Sequence, residues 1–190
     1  MNKINRIFSV LLFLLVFASM AYAGMQQPPE GGLLPDIVLQ VPDNSEYKKY
    51  LGLSGEGTFS IPQIKAGVVI VEIFSMYCPF CQAEAPSLNE LYKKIQNDGR
   101  LRDKLKLIGI GVGNTTFEIE HFRQTYQIPF PLFPDDNFSI HKKLGEVRTP
   151  YFLGIRINDD GTHKILYTKQ GRLENHDQFI NILLKRAELN

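Results

Sequence analysis

The chain has 190 residues, 44% hydrophobic and 22% charged, which is an ordinary globular composition. Its 21 basic and 20 acidic side chains leave a net charge of +1, so electrostatics give no reason to expect nucleic acid or an anionic membrane surface as partner. Two cysteines and no tryptophan exclude a disulfide-dense scaffold and any metal cluster needing four thiolates.

The N-terminus reads as an export signal. Lys3 and Arg6 give a basic start, Ile7 to Ala18 is almost wholly apolar, and Ala21-Tyr22-Ala23 places small residues where a signal peptidase reads. Residues 1–23 are therefore expected to be removed before Gly24. The alternative is a retained anchor, but 12 apolar residues fall short of the roughly 20 that cross a bilayer. Cleavage leaves 167 residues with 19 basic and 20 acidic side chains, a net charge of −1 and enough chain for one core. The expected location is periplasmic or otherwise extracytoplasmic, with no integral membrane segment after cleavage. There a lone, close pair of cysteines reads as redox chemistry before metal binding.

Residues 24–35 (GMQQPPEGGLLP) read as a flexible lead-in, and 36–190 as one domain. Asp36 to Pro62 has short apolar runs and turn signals, which suggest an N-terminal β extension of small strands or hairpins. Val68 to Phe74 (VVIVEIF) is β-branched and nearly all apolar, as a buried central strand is. Leu88, Leu91, Tyr92 and Ile95 share one face of a helix from Pro79 to about Asn97. Leu105 to Val112 is the next strand, and Thr115-x-x-Glu118 a capping box opening a helix to about Tyr126. A proline-rich stretch, Ile128 to Asp136, precedes a short helix at Phe138–Leu144, with Asp135-Asp136 read as a solvated turn. Tyr151 to Ile157 and Thr162 to Thr168 flank a turn at Asn158–Gly161, and a last helix runs from His176 to about Glu188. This order predicts an α/β fold with a mixed central sheet and helices on both faces.

Both cysteines lie in Cys78-Pro79-Phe80-Cys81, directly after the central strand and at the start of its helix. At a helix N-terminus, unpaired N–H groups and the macrodipole favour an anion, so Cys78 is expected to be a nucleophilic thiolate. Pro79 suits the first helical position, which needs no N–H. Cys81, one turn on, is the resolving thiol. A structural disulfide and half of a metal site are the alternatives.

Tyr77-Cys78-Pro79-Phe80-Cys81-Gln82-Ala83-Glu84-Ala85-Pro86 resembles the aromatic-Cys-x-x-Cys-x-x-Glu-x-Pro signature of the exported TlpA/ResA-type thiol-disulfide oxidoreductases. Arg148-Thr149-Pro150-Tyr151 is similar to the segment that carries the fold's cis-proline. The resemblance implies a three-layer thioredoxin-like fold from about Pro35 to the C-terminus. It also implies a proline kink at Pro86, and a substrate groove formed by Tyr77, Pro79, Phe80, Thr149 and Pro150. Glu72, six residues before Cys78, matches the buried acid that takes the second cysteine's proton, and Glu84 the family's glutamate after the motif. A solvent-facing position is the alternative for both, and an ordinary turn for Thr149-Pro150. The implied activity is exchange with protein thiols and disulfides, more as reductant than oxidant, with a membrane electron donor as further partner. No cofactor beyond the Cys78–Cys81 disulfide is expected.

Two rivals share the fold. A thiol peroxidase places proline seven residues before its reactive cysteine, where this chain has Val71. A Cu(I) metallochaperone suits two soft thiolates, with Met76 the nearest further ligand, though copper carriers of this fold space their cysteines by three residues. Scattered His121, His141, His163 and His176 read as surface or helix-end residues. Gly109-x-Gly111-x-Gly113 lacks the rest of a dinucleotide fingerprint and reads as close packing at a strand end.

Overall fold

The computed structural model describes residues 27–189. The expected signal segment and its cleavage site lie outside the described residues.

Six β-branched or large apolar positions and one acid make the central strand β3 (Val68–Phe74), buried along its whole length. A strand buried on both faces needs layers on both, and its neighbours supply them. Parallel to β3 runs β4 (Leu105–Val112), and beyond it the short edge strand β5 (Leu132–Asp135). On the other side, β6 (Tyr151–Ile157) and β7 (His163–Gln170) are antiparallel, giving the order β5-β4-β3-β6-β7. The mixed sheet predicted from the element order is the observed one.

Strand alternation divides the core. Val69, Val71 and Ile73 face one layer, which holds the N-terminal pair β1 (Val38–Gln40) and β2 (Thr58–Ser60) and the short helices α1 (Ser45–Leu51) and α5 (Ser139–Lys143). Val68, Ile70 and Phe74 face the other, built from α2 (Pro79–Asn97), α4 (Thr116–Tyr126) and α6 (His176–Arg186). A single turn, α3 (Gly99–Arg102), follows α2. Glu72 has the parity of Val68 and Ile70 and so lies on the α2 side, where Cys81 is buried.

Four local expectations need correction. The Asp36–Pro62 segment contains α1 as well as strands, started by Asn44, whose side chain accepts the Glu46 and Tyr47 N–H groups. The proline-rich stretch contains β5; an edge strand tolerates Pro134, which has no N–H to donate. Asp135 is buried, not solvated: its carboxylate accepts the N–H groups of Ile140 and His141 at 3.0 and 2.9 Å and starts α5. Part of the expected lead-in is tied down. Gly31 donates to the Ile165 carbonyl, Ile165 donates back to Gly32, and Glu30 pairs with Arg186 at 2.8 Å. Helix α2 continues through Pro86 as one element. The glycines of β4 are packing positions: a Cβ on Gly109 would lie 2.5 Å from Leu132 Cδ2, and one on Gly111 2.2 Å from Ile119 Cδ1.

Candidate active site

Strand β3 ends at Phe74, and three residues carry the chain to Cys78, the residue that caps α2. Pro79 occupies the first helical position, as its missing N–H predicts. The Cys78 carbonyl already accepts the Cys81 and Gln82 N–H groups at 3.0 Å, so the cysteine sits where the helix presents its unpaired donors. Both cysteines are free thiols; Cys78 is half-exposed and Cys81 buried.

Their environments drive the two thiols apart. Partial burial acts to raise the Cys78 pKa. Contacts from the Thr149 side chain, the Cys81 thiol and the N–H groups of Cys81 and Phe80 outweigh it, and hold Cys78 below the ordinary thiol value. As a thiol, Cys78 also donates to the Thr149 carbonyl at 3.4 Å, a bond that exists only while the proton is present. Cys81 is pushed far up, first by burial, then by its bond to Cys78 and the negative charge of Glu72. One thiol is thus the readier to ionise, and the other holds its proton tightly.

Glu72 is 3% exposed. Burial above all, then the charges of Glu84 and Cys78, raise its pKa well above the carboxylate range. Solvent exposure is thereby excluded for Glu72. Glu84 is fully buried too, but its two oxygens are committed elsewhere: Oε2 accepts Arg172 Nε at 2.7 Å and Oε1 the Leu173 N–H at 2.9 Å. It ties α2 to the segment after β7, and its charge acts on Glu72.

A family model described as AhpC/TSA matches residues 34–165. The chain belongs to the AhpC/TSA family. Within it, the chain is a thiol-disulfide oxidoreductase of the TlpA/ResA type. It is 21% identical over 155 residues to the thiol-disulfide oxidoreductase ResA of Oceanobacillus iheyensis, covering 80% of this chain and 78% of that one. StoA of Bacillus subtilis shares the fold with a TM-score of 0.54 and 20% identity, over 78% of this chain and 98% of that structure. So does the thioredoxin domain of a Bacteroides vulgatus thiol-disulfide oxidoreductase, with a TM-score of 0.57 and 15% identity, over 81% and 95%.

In this AhpC/TSA member, the residues expected to form a groove lie around the pair. The Thr149–Pro150 peptide bond is cis, with the Thr149 carbonyl at Cys78 and Pro150 buried. Tyr77 and Phe80 are exposed by 65% and 68%. Beside them a hollow of about 670 Å³ is lined by Ser75, Tyr77, Val112, Phe138, Val147 and Thr149. Of the histidines, His141 lines the same hollow with its ring bonded to the Val147 carbonyl, and His176 bonds Ser87 at 2.9 Å. Three groups around the motif carried no sequence signal for this role. Asn114 and Gln82 bond the backbone of Met76, and Glu118, read only as a cap, also accepts the Tyr77 hydroxyl.

Proposed function

We propose that the protein is an extracytoplasmic protein-disulfide oxidoreductase that works as a reductant. The observation that carries this reading is the asymmetry of the pair: a half-exposed thiol of lowered pKa at the N-terminus of α2, with a buried thiol of raised pKa one turn on. The Cys78 thiolate attacks one sulfur of a client disulfide. The client S–S bond breaks, its second sulfur leaves as thiolate and takes up a proton, and a mixed disulfide remains. Cys81 then yields its proton to Glu72 and attacks Cys78 Sγ. The Cys78–Cys81 disulfide forms and the client's first sulfur leaves, so two electrons have passed from the pair to the client. A dithiol donor must restore the pair, which is the role of a membrane electron donor.

Thr149 offers backbone to an extended client segment, as an added strand pairs with an edge. Tyr77, Phe80 and Phe138, all exposed, supply apolar surface next to the nucleophile. The direction of transfer is supported by the Phe80 ring, which adds no hydrogen bond to the thiolate. A strong oxidant needs its reduced form stabilised well beyond that.

Equilibration of the pair against dithiothreitol and glutathione buffers tests both parts. A potential near −270 mV, roughly that of thioredoxin, is expected; a value near −120 mV makes the protein an oxidant. Cys78→Ser abolishes exchange, and Cys81→Ser accumulates the mixed disulfide. If no redox-active disulfide forms, tight stoichiometric Cu(I) uptake by the reduced protein gives the metallochaperone, and peroxide consumption gives the peroxidase.

A further inference from the structure

The position of Cys78 at the N-terminus of α2 depends on the path of Ser75–Tyr77, the turn that leaves β3. That turn is gripped at its middle residue. The Met76 N–H is accepted by Asn114 Oδ1 at 2.9 Å, and the Met76 carbonyl accepts Gln82 Nε2 at 2.8 Å. One anchor comes from α2 itself. The other comes from the turn between β4 and α4, 38 residues away in sequence.

Asn114 is fully buried, and its Nδ2 has no hydrogen-bond partner among the described residues. A buried donor left unpaired costs stability, so such a group calls for an explanation. The explanation is the other end of the amide. Turning the group over would set Nδ2 against the Met76 N–H, donor against donor, so the acceptor orientation is forced and Nδ2 goes unsatisfied. An aspartate would accept the same bond only by burying a charge or an acid proton in need of its own acceptor. The strand beneath is shaped for the arrangement: a Cβ on Gly111 would stand 3.0 Å from Asn114 Oδ1.

We infer that Asn114 is a positioning residue for the redox pair: by fixing Met76, it holds Cys78 at the helix N-terminus and beside Thr149. The inference rests on the reading of Cys78 as nucleophile. It assigns Asn114 no contact with a client, so its effect is read on Cys78 itself.

The test is Asn114→Ala in the full chain, with the pH dependence of Cys78 alkylation by iodoacetamide as readout. The expected result is a rise in the apparent Cys78 pKa of about half a unit or more, which is about a threefold loss of thiolate at any pH below it. An unchanged Cys78 profile together with a lower melting temperature makes Asn114 a structural residue only, and overturns the inference. Amide hydrogen exchange of the unsubstituted protein covers the case of a variant that does not fold. The Met76 N–H should be protected by about tenfold or more relative to an open loop, and exchange at the open-loop rate removes the premise. A Cys81→Ser variant with Asn114 intact that forms no mixed disulfide refutes the nucleophile assignment instead, whatever Asn114 does.

Discussion

Glu72→Gln separates the energetic and catalytic consequences of burying an acid beneath the redox helix. In the fold, burial and two neighbouring charges keep the proton on Glu72 to a higher pH than in the unfolded chain, where the group titrates near 4.5. Between those two values the folded state holds one more proton than the unfolded state. Stability therefore falls as pH rises, by about 1.4 kcal/mol per pH unit. The fall starts above the unfolded value and ends when Glu72 ionises within the fold. Glutamine has nearly the same shape and no such proton, and every other titrating group is common to both proteins. The stability of Glu72→Gln minus that of the wild type is thus flat below about pH 4.5 and then climbs with that slope. Urea denaturation of the reduced proteins, followed by far-UV circular dichroism at half-unit steps to pH 8, measures the difference directly. Parallel curves across the whole range would refute the raised pKa. The same variant should slow resolution of the mixed disulfide at neutral pH by about a hundredfold, the lower end of what general bases contribute. That gap should close in alkali, where hydroxide can take the Cys81 proton.

Two further outcomes follow from the site. Below pH 8, iodoacetamide should label the reduced protein once, at Cys78, with half-maximal rate at a pH below the ordinary thiol value; Cys81 should react only after unfolding. Peptide mass spectrometry of the labelled protein checks this. Glu84→Ala should destabilise the fold by about 1–3 kcal/mol, the cost of leaving the buried Leu173 N–H without an acceptor. Glu84→Gln, which keeps an acceptor oxygen, should recover much of that in chemical denaturation. An alanine variant as stable as the wild type would show that the tie between α2 and the post-β7 segment contributes nothing.

What could be read from the sequence was what is local. Cys78 and Cys81, the proline at N1 and the capping box at Thr115 are short-range patterns whose meaning is set by the element they open. Glu72 was readable because an acid inside VVIVEIF has few places to go but the core. Glu84 was not: the Arg172 and Leu173 groups that hold it lie 88 and 89 residues further on. Helix α1 escaped because seven residues contribute only Leu51 to the core, too little for a periodicity. Strand β5 escaped because Pro134 argues against a strand until the strand is known to be an edge. Asp135 looked like surface because a second acid follows it, whereas the two main-chain N–H groups it satisfies leave no trace in the sequence.

An open sheet edge is a liability, since extended chains add readily to it and seed aggregates there. Here neither rim of the sheet is an open ladder. Pro134 interrupts the donors of β5, and Gly31 and Gly32 take up hydrogen bonds of β7 at Ile165. The Thr149 carbonyl lies away from both rims, in the loop before β6 and beside the Cys78 sulfur. Under the proposed function, a client held at that spot would lie beside the thiolate and leave when the mixed disulfide resolves. Interrupted in this way, the two rims leave an extended chain little continuous ladder on which a shared sheet could grow.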